Sequence, residues 1–135
     1  MISKFGRVKV ETEFIDVGYK LVQQKRGDRE IAIAVIEFTL KRPIQPGAEA
    51  RDATKLVKAF VKELVPQHDV TTISGRGPIW FYGMLLHELA HVAKAVAVFD
   101  PKVGGAVVVT SHVYDLPKEG EVIELPEDVV KELTQ

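Results

Sequence analysis

Thr72-Ile73-Ser74-Gly75-Arg76-Gly77-Pro78-Ile79-Trp80 carries an apolar β run into the start of a helix through a turn that holds two glycines and one cation. Residues 70–73 form the short strand, and Pro78 opens the helix at a position where a missing N–H costs nothing. Such a turn aims backbone N–H groups and the positive end of the helix dipole at one point. With the Arg76 guanidinium added, Ser74, Gly75, Arg76 and Gly77 make a cradle for a phosphate. It is not a Walker loop, because the Lys-Ser/Thr pair is missing, and two glycines do not complete the longer dinucleotide fingerprint. An ordinary tight turn with a surface arginine has the same spacing, so spacing alone leaves both readings open.

Upstream of the turn, residues 31–40 (IAIAVIEFTL) are too apolar for a sheet edge and too β-branched for a helix, and read as a central strand. Residues 48–64 place Ala53, Leu56, Val57, Phe60, Val61 and Leu64 at helical spacing, with Pro66 as the stop. Downstream, the helix opened by Pro78 is expected to run to about Lys94. Strand, helix, strand, helix implies a parallel pair with a right-handed crossover. Two further β runs, 96–99 and 106–110, are separated by the turn DPKVGG, whose Pro and Gly residues call for a tight reversal; a short strand covers 122–125, and Pro126-Glu127-Asp128 begins a last helix. At the other end, residues 8–15 alternate as a half-buried strand, and 19–24 pair with it or with the run beyond the turn Arg26-Gly27-Asp28-Arg29. The expected fold is α/β: a mixed, mostly parallel sheet with helices packed on it, plus an N-terminal β-hairpin over residues 1–30.

The chain has 135 residues, 46% of them apolar, which fits a single domain over 1–135 with one core. The longest uncharged stretch, 77–87, is about half of a membrane span, and MISKFGRVKV has no signal-peptide apolar region. A soluble, cytoplasmic protein without a membrane partner is expected. Cysteine is absent, which excludes disulfides, thiolate metal sites and a cysteine nucleophile. Asparagine is absent too, and with 27% charged residues this is the bias of a thermophile. A net charge of −1 argues against a binder of long duplex nucleic acid. The charge is uneven: residues 1–112 hold 16 basic and 12 acidic side chains, whereas 113–135 hold 2 basic and 7 acidic. The first part suits a small anionic ligand; the acidic C-terminal segment reads as a solvated tail.

His87-Glu88-Leu89-Ala90-His91 is the HExxH pattern, in which two His one turn apart bind zinc and Glu activates water. On a helix, His87, His91 and Lys94 share one sector near Trp80, a polar stripe on an otherwise apolar surface. A zinc metallopeptidase needs a third ligand, and strands follow where the commoner zinc peptidases place another helix. Asp100-Pro101-Lys102 and Ser111-His112 end two β runs. Ligands of α/β folds bind beyond the carboxyl ends of parallel strands, so Ser74, Asp100 and His112 are expected on one rim.

ISGRGPIW at 73–80, VAVFDPK at 96–102 and GAVVVTSH at 105–112 together resemble the small CRISPR-associated proteins of the Csx-three type, over roughly residues 31–125. The resemblance implies a Rossmann-like fold and a ring nuclease, which binds and cleaves cyclic tetra-adenylate, the second messenger of type III CRISPR defence. It implies a homodimer, or a tetramer or higher assembly that sandwiches the ligand, and cleavage linked to manganese. By position, Ser74, Gly75, Arg76, Gly77 and His112 fall to ligand binding, His91, Asp100 and Lys102 to catalysis, and His87 and Asp100 to the metal. Lys102 stands where the family has Arg, and it lacks the bidentate fork. Residues before about 30 look like an addition to shorter members. A binding module that holds the cyclic nucleotide without cutting it is the alternative from another class.

Overall fold

The computed structural model describes residues 9–135. These form strands β1 (Lys9–Glu11), β2 (Ile15–Arg26) and β3 (Arg29–Leu40), helix α1 (Ala48–Leu64), strand β4 (Val70–Ser74), helix α2 (Ile79–Ala90), strands β5 (Ala95–Asp100), β6 (Gly105–Ser111) and β7 (Val122–Glu124), and helix α3 (Glu127–Thr134). The seven strands lie in one sheet in sequence order. The class is α/β, as expected, but the sheet is not mostly parallel. Only β3–β4 and β4–β5 pair in parallel, and the four outer pairings are antiparallel. The connections explain the correction: α1 and α2 supply the two crossovers, whereas no helix joins the other neighbours, and a chain that returns without a crossover pairs antiparallel.

Two cores result. On one face, Val17, Ile36, Phe38, Ile73 and Val96 are buried under Ala53, Val57 and Phe60 of α1 and Phe81, Leu85 and Leu89 of α2. On the other, Ile33, Val35, Val70, Ala97 and Val108 pack with Leu116, Ile123, Leu125 and Val129. The segment expected to be a solvated tail therefore covers half of the sheet. Its carboxylates mislead because most of them stand on the outward side while Leu116, Ile123, Leu125 and Val129 point in.

Three boundaries move. The strand expected over 8–15 breaks at Thr12, whose hydroxyl accepts from the Ile15 N–H at 2.9 Å and whose own N–H donates to Asp16 Oδ1 at 3.2 Å, a local competitor of the ladder. Beyond the break, β2 and β3 form a long hairpin around Gly27; residues 1–8 of the expected N-terminal hairpin lie outside the described residues. Helix α2 ends at Ala90 and not at Lys94, in a tightened turn where the N–H groups of His91 and Val92 donate to Glu88 and Leu89. Lys94 leaves the helical stripe, and its Nζ lies 3.8 Å from Asp69. Asp69 in turn accepts from the Ala32 N–H at 2.8 Å and from Arg29 at 2.9 Å, which pins the start of β4 to β3. No helix among the described residues is long and apolar enough to cross a membrane.

Candidate functional site

Strand β4 is buried along its whole length, so its register is fixed and Ser74 arrives at the carboxyl edge of the sheet in one position. The backbone then turns over the side chain of Phe38. A Cβ on Gly75 would lie 2.5 Å from the Phe38 carbonyl oxygen and 2.7 Å from its ring, and one on Gly77 would lie 3.2 Å from the same ring. Both glycines are there because the turn rests on an aromatic floor. Phe81 and Tyr82, from the first turn of α2, meet the Phe38 ring edge-on with centroids 5.4 and 5.5 Å away. The Tyr82 hydroxyl donates to the Gly75 carbonyl at 2.5 Å, and burial pushes its pKa up to about 12, so the phenol stays a neutral donor. The turn is thus held from below and from one side.

Tyr82→Phe leaves that carbonyl without its donor. A loss of roughly 1–2 kcal/mol is expected, read as a lower urea midpoint with an unchanged m-value.

Above the turn, Arg76 is exposed and has no ion pair or hydrogen bond among the described residues. A cleft of about 580 Å³ opens beside it, between the ends of β3, β4 and β5 and the last turn of α3. The first N–H groups of α2 have no side-chain cap. Because Ile73 pairs with Val98, Asp100 lies level with Gly75 one strand away. The structure therefore brings Ser74, Gly75, Arg76, Asp100 and Lys102 to one edge. The Asp100 carboxylate accepts from the Lys102 N–H at 2.9 Å and shapes its turn, while Lys102 itself is exposed.

The histidines lie at the opposite edge. Strand β6 runs antiparallel to β5, so His112 does not share the rim with Ser74 and Asp100; its N–H donates to the Lys94 carbonyl at 2.8 Å, and its Nε2 donates to the Ala90 carbonyl at 3.2 Å. His91 caps the far end of α2. Five residue steps of β5 separate the edges, about 17 Å, so His91 does not meet Asp100 or Lys102 within a chain. His87 and Asp100 are likewise too far apart, by about 10 Å or more, to share a cation. The manganese pair expected from the resemblance does not fit one chain, and no step is derived through it. Among the described residues, the one group of three potential metal ligands is His87, Glu88 and His91. The further ligand of a zinc peptidase is missing from it.

A family model described as CRISPR-associated protein (Cas_csx3) matches residues 37–124, well over half of the chain. The chain belongs to that CRISPR-associated family. An uncharacterized protein of Aquifex aeolicus is 42% identical to this Cas_csx3 chain over 90 residues, 67% of this chain and 76% of that protein. No solved structure matches it significantly. The matched span starts at Glu37, next to Phe38, and ends at Glu124 with β7. It holds both edges described above, and β1 and most of β2–β3 lie before it. Phe38 and Tyr82, which shape the turn, were not singled out by sequence reasoning. The signal available was the pair of glycines, since Gly-x-Gly after a buried strand calls for a close neighbour, and aromatic residues stood nearby.

Proposed function

We propose that the protein is a ring nuclease that binds cyclic tetra-adenylate and cleaves it to linear short oligoadenylates. The observation that carries the reading is the Ser74–Gly75–Arg76 turn, rigid on its aromatic floor and with a guanidinium that has no partner among the described residues beside a cleft of about 580 Å³, in a CRISPR-associated chain. A 3′–5′ linkage brings its own nucleophile, the neighbouring 2′-OH. The enzyme has to align it with the leaving oxygen, balance phosphate charge and move a proton. Backbone N–H groups of the turn and Arg76 hold the phosphate; Lys102 adds a point charge; Asp100 fixes the loop that presents Lys102. His91 moves the proton, and because it stands on the far edge it acts on a ligand held by another copy. A two-fold-symmetric ring suits such a symmetric assembly, each copy offering the same groups to equivalent phosphates.

The separation of His91 from Asp100 favours one second reading, that a lone copy binds the ring without cutting it. Incubation with cyclic tetra-adenylate, followed by chromatography, tells them apart. Linear di-adenylate is the expected product; tight binding with intact ring identifies the binding module, and no binding ends both readings. Arg76→Ala is expected to raise the Kd by roughly 10- to 100-fold, from the loss of a charge-assisted hydrogen bond, with the melting temperature unchanged because the side chain is exposed.

A further inference from the structure

The proposed nucleotide chemistry uses His91 alone and leaves its pairing with His87 without a role. His87 and His91 stand one turn apart, both exposed, with rings nearly perpendicular and centroids 4.9 Å apart. Their Nε2 atoms point at each other across 3.4 Å. Two bonds of about 2.0–2.1 Å at the tetrahedral angle span about 3.3–3.4 Å between the donor atoms, the bite of zinc on two imidazoles. Two bonds of the same length at a right angle, as magnesium makes, span only about 2.9 Å. The separation fits a tetrahedral cation, and imidazole donors favour zinc or cobalt over the hard cations.

We propose that His87 and His91 form a preformed chelate for one zinc-class cation per chain, with water in the remaining positions. The Glu88 carboxylate has an oxygen within 4.8 Å of both nitrogens and adds negative charge beside the metal, partly offset by Lys58 at 3.8 Å. Arg51 and Lys55 line the neighbouring α1–α2 groove and oppose the cation, but both are exposed and screened by solvent. His112 lies outside the group of ligand atoms that converges here, which holds only His87, Glu88 and His91. With only two protein ligands the site differs from a peptidase centre. Its test is separate from that of the ring-nuclease reading, because binding is read without nucleotide; a metal held here takes the His91 Nε2 that the ring-nuclease reading gives to proton transfer, so the two uses of that atom exclude each other.

The test is calorimetric titration of the nucleotide-free protein with zinc chloride, paired with a cobalt(II) titration in the visible range. Near one zinc per chain is expected, along with the intense absorption of tetrahedral cobalt. His87→Ala and His91→Ala are each expected to weaken zinc at least tenfold, and His112→Ala to leave it as it was. The exposure of both histidines predicts wild-type melting curves for the variants, which certifies their folding. Zinc affinity retained in either α2 variant, the weak spectrum of octahedral cobalt, or no heat in the wild type would each overturn the proposal.

Discussion

Gly75→Ala is expected to lower the melting temperature by roughly 8–24 °C. The added Cβ meets the Phe38 carbonyl oxygen at 2.5 Å and the Phe38 ring at 2.7 Å, and neither can yield. The carbonyl belongs to β3, which is paired on both sides, and the ring is 1% exposed and wedged against Phe81 and Tyr82. Overpacking of this kind costs about 1–3 kcal/mol. A backbone φ of +152° adds a conformational penalty for any L side chain, on the order of 1–3 kcal/mol, and roughly 4 °C follows each kcal/mol at this chain length. The same change at Gly83 supplies the control. Gly83 lies inside α2, and a Cβ there meets nothing within 4 Å. Gly83→Ala is expected to stabilise the protein by about 0.5–1 kcal/mol through helix propensity. Thermal melts of the two variants should therefore move in opposite directions, and a Gly75→Ala protein melting within 2 °C (on the order of half a kcal/mol) of wild type would show that the turn does not rest on Phe38.

That pair of glycines shows where sequence reasoning reached and where it stopped. The order of strands and helices was legible because each element is long enough for its period to show: α1 runs over the residues expected, and β3 to β7 shift by at most a few residues. The turn between β4 and α2 was legible because Gly, Arg and Pro act locally. The rim was not. Whether a residue lies at the carboxyl or the amino edge depends on strand direction, and β6 reverses after a four-residue turn where a parallel strand would have needed a crossover. That reversal, which the Pro and Gly residues of DPKVGG already call for, carries His112 to the opposite edge, so placing His112 on the rim leaves the direction of β6 out of account. The acidic C-terminal segment misled for a different reason: charge dominates when the segment is read as a whole, whereas α3 is amphipathic and turns Val129 onto the sheet with most of its carboxylates outward.

A 1:1 mixture of His91→Ala and Asp100→Ala chains, assembled together, is expected to recover about a quarter of the wild-type cleavage rate. Each variant alone should be slow, His91→Ala by roughly 10²- to 10⁴-fold if it is the proton-transfer group. The reasoning is geometric. Proton transfer needs heavy atoms about 2.6–3.2 Å apart, and the two edges of β5 stand about 17 Å apart within a chain, so no side-chain rotation joins them. If each working site takes His91 from one copy and Asp100 from another, random pairing leaves one site in four with both groups intact. If instead a site were built inside one chain, every site of the mixture would lack a group and the rate would stay at the level of the slower variants. A second mixture guards against trivial explanations: wild type with the doubly substituted chain should fall to about a quarter of the wild-type rate at equal total protein, against about a half for sites contained in single chains. Both readings predict the same melting curves, because His91 is exposed and Asp100→Ala loses the same turn hydrogen bond to the Lys102 N–H in either case. The outcome is therefore carried by the rates. Recovery to a quarter would mean that the sheet separates binding from cutting within a chain, and that assembly is what makes the enzyme.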